Sequence, residues 1–226
     1  SPRRQRQMCI RDRQYLTTRN VLSHQSGFPN WRYLSSDNTL KFEFKPGTRY
    51  QYSGEGFEYL RKAIEAKLNQ PFEQIAQHIL FEPLGMRDTH FYWHDSVDET
   101  RFQPGHDANG KPLPIERHTQ ANAAANLLTT VEDYARFMIH LSAGAELEPA
   151  LFAEMVRPHV EVNGVSSFTL GWQRFDLPSA AEQAPEYILQ HTGSDPGVKA
   201  IALIMPQSQR GFCLLYTSPS PRDITP

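Results

Sequence analysis

The chain has 226 residues, 39% of them apolar and 21% charged, with a formal net charge of −2. That composition suits one globular domain, or a domain with part of another. It contains no apolar run long enough for a membrane span, its 11% aromatic content argues against disorder, and its near-neutral charge gives no reason to expect a nucleic-acid partner.

Residues 1–13 carry five arginines and no apolar periodicity. They lack the apolar core of a secretory signal, and a basic arm is one reading. Back-translation offers another. Arg3–Asp12 (RRQRQMCIRD) can be encoded by CGT CGG CAG CGT CAG ATG TGT ATA AGA GAC, which resembles a sequencing-library transposase adapter. At the far end, Cys213–Asp223 (CLLYTSPSPRD) can be encoded by the reverse complement of the partner adapter. Agreement at both ends in the right orientation predicts that residues 1–13 and 213–226 are cloning or assembly scars, and that residues 14–212 are the natural segment. Six arginines and two aspartates leave with the ends, so the formal charge falls from −2 to −6 and the basic arm disappears as a clue. Both cysteines, Cys9 and Cys213, fall in these stretches and then imply neither a disulfide nor a redox compartment. Any leader would be lost with the missing N-terminus, so the compartment stays open.

Within the segment, Thr17 reads as the N-cap of a short helix to His24, ended by Gly27 and Pro29. Pro46-Gly47 marks a turn. Glu55–Leu68 is the clearest helix, with Phe57, Leu60, Ile64 and Leu68 forming one apolar stripe. Pro71 opens a helix to Leu80, which Pro83-Leu84-Gly85 breaks. Residues 86–126 read as an irregular excursion. Thr130 caps a helix through Leu141, with Asp133 in a variant capping box, and Pro149 starts a short helix ending near Arg157. Ser167–Phe175, Tyr187–His191 and Lys199–Met205 then read as strands joined by tight turns. Helices followed by strands predict an α+β fold with an antiparallel sheet whose final strand is interrupted at the scar.

Six phrases stand in an ordered set: Leu22-Ser23-His24-Gln25-Ser26-Gly27; Phe44-Lys45-Pro46-Gly47 with Tyr50-Gln51-Tyr52-Ser53-Gly54; Pro83-Leu84-Gly85-Met86-Arg87-Asp88-Thr89; Asn126-Leu127-Leu128-Thr129-Thr130 with Asp133-Tyr134-Ala135; Leu170-Gly171-Trp172; and His191-Thr192-Gly193. Their order and spacing resemble the serine β-lactamase-related family, which includes class C β-lactamases, family VIII-type esterases and D-amino-acid-specific peptidases. The resemblance covers nearly all of residues 17–212. It implies part of the β-lactamase/transpeptidase-like fold and acyl transfer through a serine ester, on a small-molecule or peptide-like substrate and without a cofactor.

The family's chemistry rests on three motifs. An S-x-x-K pair puts the nucleophile one helical turn from a lysine; no serine here has lysine three residues on. The motif belongs upstream of Leu22, where few natural residues remain, so the chain is expected to be an inactive fragment. Tyr52 in Tyr52-Ser53-Gly54 corresponds to the proton-relay tyrosine of a Y-x-N motif, with glycine replacing asparagine. His191-Thr192-Gly193 corresponds to the substrate-lining strand motif, and the Ser194 N–H is placed to polarise the substrate carbonyl. Histidine at the usual lysine position leans towards an esterase or peptidase. The glycine departure also leaves open a non-catalytic binding or scaffold relative. On ordinary structural grounds Tyr52 is a core tyrosine beside a turn, and His191-Thr192-Gly193 a strand end.

Other chemistry finds less support. His90 and His94 lie four apart, a ligand spacing on a helix, but Phe91-Tyr92-Trp93 between them favours a strand and packing. With His106, Asp107 and His118 they read as solvated loop residues, and no metal site is expected. No G-x-S-x-G elbow appears.

Overall fold

The structure, a computed structural model, describes residues 15–178 and 186–217. Residues 1–13, with Cys9, and residues 218–226 lie outside the described part.

The first half is helical. α1 (Thr18–Leu22) begins where the Thr17 side chain accepts the Asn20 N–H. α2 (Gly54–Leu68) is capped by Ser53, whose hydroxyl accepts the Gly56 N–H. Its apolar stripe is only partly covered: Phe57, Leu60 and Ile64 are half-buried and Leu68 is exposed. Its polar face connects to other elements. Arg61 forks Glu58 and Glu65, while those carboxylates accept the backbone N–H groups of Ala123 and Phe72.

α3 (Phe72–Ala76) runs past the expected end at Leu80, through a π-helical stretch (Gln77–Phe81) into α4 (Glu82–Leu84). Pro83 does not break this run. It falls in the first turn of α4, where a missing N–H costs least, and the stop comes at Gly85, whose φ of +67° suits a left-handed C-cap. Residues 86–126 are largely irregular as expected, with one 3-10 turn (Glu99–Arg101) and isolated bridges His90↔Leu128 and His106↔Pro112.

α5 (Val131–Ser142) is capped by Thr130, which accepts the Asp133 N–H. The Asp133 carboxylate does not complete a capping box. It is buried and accepts the Asp88 N–H at 2.8 Å and the Thr89 hydroxyl at 3.0 Å, joining α5 to the turn after α4. α6 spans Pro149–Val156.

The sheet is an antiparallel meander in the order β1 (Val160–Glu161), β2 (Ser167–Phe168), β3 (Gln173–Asp176), β4 (Tyr187–Asp195), β5 (Val198–Met205), β6 (Arg210–Tyr216). The single strand expected at Ser167–Phe175 is two strands. Between them Gly171 adopts φ +98°, and the loop docks outward, with Leu170 N–H on Met155 O and Gly171 N–H on Leu22 O. The last strand is not interrupted at Cys213. Cys213 to Tyr216 alternate inward and outward well enough to pair with β5 in register, Ala202 opposite Cys213 and Lys199 opposite Tyr216.

The main core lies between α5, α6 and one sheet face: Met138, Leu141, Val156, Trp172, Tyr187, Leu189, Ala202 and Ile204, with Cys213 packed at its margin. A smaller core of Ala76, Phe81 and Met86 meets it through Phe137.

Candidate active site

The site sits between the start of α2 and the far half of β4. Tyr52 is the last residue before the Ser53 cap, and two buried groups fix that approach. The Ser53 N–H donates to His24 Nδ1 at 3.0 Å, and its hydroxyl donates to Pro29 O at 2.8 Å. His24 is 1% exposed and stacks on Tyr52 with ring centroids 4.1 Å apart. Phe168 meets the His24 ring edge at 4.5 Å. Burial first, and His191 second, push the His24 pKa down from its ordinary 6.5 to about 3. A neutral ring fits its role as an acceptor from Ser53; among the described residues its Nε2 has no hydrogen-bond partner.

His191 lies 6.2 Å from Tyr52 between ring centroids, with Phe168 at 6.4 Å and Trp172 at 6.5 Å. Burial lowers its pKa, opposed by a hydrogen bond to the Thr192 backbone, so it is a neutral polar group and not a substitute for a lysine cation. Strand alternation puts His191 and Gly193 on the Tyr52 side of β4, and the Thr192 and Ser194 side chains on the other. Ser194 Oγ accepts from Lys199 Nζ at 2.7 Å. β3 pairs with β4 only as far as Gln190. Among the described residues, His191–Asp195 therefore has β5 on one side and no strand on the other. Tyr52 is 40% exposed, and desolvation raises its pKa above the ordinary 10.

The structure thus brings Tyr52 and the His191 strand together. It also shows two things not read from the sequence. One is the packing of His24 under Tyr52, for which the buried phrase around Ser23-His24 was the available signal. The other is the reason for Gly54. A Cβ there would lie 2.6 Å from the Trp31 ring, so the indole occupies the space that an asparagine side chain would need.

The metal reading changes in its geometry. Phe91-Tyr92-Trp93 do not form a strand. The chain folds back so that His94 Nε2 lies 2.9 Å from His90 Nδ1, beside the buried Glu73. Phe91 and Trp93 do pack, against Phe72 and Phe81 and against Phe102 respectively.

Residues 10–225 match the Beta-lactamase family model. A β-lactamase of Pseudomonas fluorescens is 27% identical over 63% of this chain and 43% of its own length. The D-alanyl-D-alanine-carboxypeptidase/endopeptidase AmpH of Escherichia coli is 24% identical over 85% of this chain and 51% of its own. The chain therefore spans about half the length of these relatives. Among solved structures, a β-lactamase/D-alanine carboxypeptidase from Pseudomonas syringae superposes with a TM-score of 0.72 at 18% identity, covering 92% of this chain and 68% of that one. A D-amino acid amidase from Ochrobactrum anthropi gives 0.69 at 18%, covering 92% and 66%. With the helix-then-sheet order, Tyr52 beside the Ser53 cap and the β4 edge described above, these matches place the chain in the Beta-lactamase family, the serine β-lactamase-related hydrolases.

Proposed function

We propose that the parent of this chain is a serine hydrolase that opens an ester, amide or lactam carbonyl through an acyl-enzyme, and that residues 14–212 are the part lacking its S-x-x-K nucleophile segment. The observation that carries this reading is the meeting of Tyr52 with the half of β4 that β3 does not reach, two motifs 139 positions apart in sequence. In the parent, the serine Oγ bonds to the carbonyl carbon as the bond from that carbon to the ester oxygen or the amide or lactam nitrogen breaks, and the serine proton passes through the Tyr52 hydroxyl to that departing atom. Water then attacks the acyl-enzyme and returns the serine. The open β4 edge lines the substrate, with the Ser194 N–H polarising its carbonyl.

Burial holds Tyr52 as the neutral phenol. A phenolate at neutral pH needs a cation beside it, which the lysine of S-x-x-K would supply. The 226-residue chain should therefore not turn over. The opposite face of the sheet supports the fragment reading as well, since Phe212, the last residue of the natural segment, stands exposed beside Leu203.

The test starts from the natural gene upstream of Leu22. A serine there in S-x-x-K, acylated by a reactive ester or β-lactam in the full-length protein and seen as a mass adduct, is the expected result. Tyr52→Phe should then slow acylation about 10²–10⁴-fold, and the 226-residue chain should carry no adduct. An upstream sequence without S-x-x-K would sink the enzyme reading in favour of a binding relative. The Trp31 ring at Gly54 is the observation that favours this second reading, because it takes the place of a polar side chain expected to face substrate.

A further inference from the structure

We propose that Glu73, His90 and His94 form a binding site for a divalent transition-metal cation of the zinc type, with three protein ligands and a remaining position for water. The site is separate from Tyr52 and β4. Glu73 comes from α3, and the two histidines from the start of the irregular excursion.

The donor atoms converge on one point. His90 Nδ1 lies 2.9 Å from His94 Nε2 and 3.3 Å from Glu73 Oε1, and all three atoms lie within 4.8 Å of one another. Ligands held at about 2.0–2.2 Å in a tetrahedron are spaced at about 3.3–3.6 Å. Modest side-chain adjustment therefore suffices. The donor set, two imidazoles and one carboxylate, is a set that zinc takes when it keeps an open position.

Hydrogen bonding alone explains the cluster poorly. His90 Nδ1 has three polar neighbours, His94 Nε2, Gln77 Nε2 at 3.1 Å and Glu73 Oε1. A ring nitrogen offers one hydrogen or one lone pair, so it cannot serve all three. A cation at the point of convergence takes a lone pair from each imidazole and one carboxylate oxygen together.

The surroundings are already built. Glu73 is 6% exposed, and its second oxygen accepts the Phe91 N–H at 2.7 Å. The Gln77 amide donates to Glu73 Oε1 and to Thr89 O, both at 3.0 Å, orienting the carboxylate. Ser96 Oγ lies 3.0 Å from His94 Nδ1, the nitrogen facing away from the cluster, and fixes that ring. Such outer contacts orient metal ligands. Gln77 also opens the π-helical stretch, a geometry that recurs at functional sites. Binding would tie the excursion to α3.

The test is a zinc titration of the chelator-treated 226-residue chain against a chromophoric competitor, with cobalt absorption as a second readout. One tight equivalent and a tetrahedral cobalt spectrum are expected. His94→Ala, a partly exposed position, should weaken zinc at least about tenfold, while His118→Ala, an exposed histidine of the same excursion, should leave it unchanged. Should His94→Ala fail to fold, imidazole NMR of the wild-type chain gives the answer. Zinc should shift His90 and His94 and spare His106 and His118. No stoichiometric binding, equal loss in the two variants, or shifts spread over all histidines would overturn the proposal.

Discussion

His24 shows how one side chain couples stability to pH. Its folded pKa of about 3 lies below the ordinary 6.5, so the unfolded chain binds the proton first as pH falls. Its contribution is complete above pH 6.5, declines by about 1.4 kcal/mol per pH unit below that, and levels off near pH 3. A denaturation series from pH 7 to 4 should show this slope, and His24→Gln should flatten it. An unchanged slope in the variant would assign the acid sensitivity elsewhere. Gly54 supplies a steric counterpart. Gly54→Asn should cost about 1–3 kcal/mol through collision with Trp31, and Trp31→Ala in the same chain should recover much of that loss; additive losses would mean that the two residues do not share the space. At this scale the sequence showed Tyr52, His191 and the glycine departure. It did not show Trp31, because a contact between residues 23 positions apart leaves no periodic trace.

At the scale of elements, local signals worked where short-range chemistry decides. Thr17, Ser53 and Thr130 cap helices because each side chain reaches an N–H three residues on. Local rules failed where tertiary contacts override them. Pro83 failed to stop α3–α4 because the π-helical stretch brings it to a first-turn position, and Ser167–Phe175 split because its middle is held by Leu22 and Met155. Asp133 separates the two kinds of contribution. Asp133→Ala leaves the Asp88 N–H and the Thr89 hydroxyl without their buried acceptor and should cost about 1–3 kcal/mol. Thr130→Ala removes only a cap and should cost about 1 kcal/mol. Urea denaturation of both compares them; a larger loss for Thr130→Ala would contradict the bridging role of Asp133.

At the scale of the whole molecule, the two sheet faces differ. One is covered by α5 and α6, whereas the other leaves Phe212 and Leu214 exposed on β6, the edge strand among the described residues. Exposed apolar edges promote association. Phe212→Lys with Leu214→Lys should therefore reduce concentration-dependent association, seen by light scattering, without lowering Tm. A lower Tm with unchanged association would show that this face is not the sticky one.

The sequence by itself determined the family, the helix-then-sheet order and two motifs of the candidate site, because capping, apolar spacing and short phrases are properties of neighbouring residues. Tertiary structure alone decided that Tyr52 faces His191, that Trp31 fills the room above Gly54, and that Glu73 joins His90 and His94. Each of these depends on where distant segments meet, and that is set by how α2, the excursion and the sheet pack around the shared core.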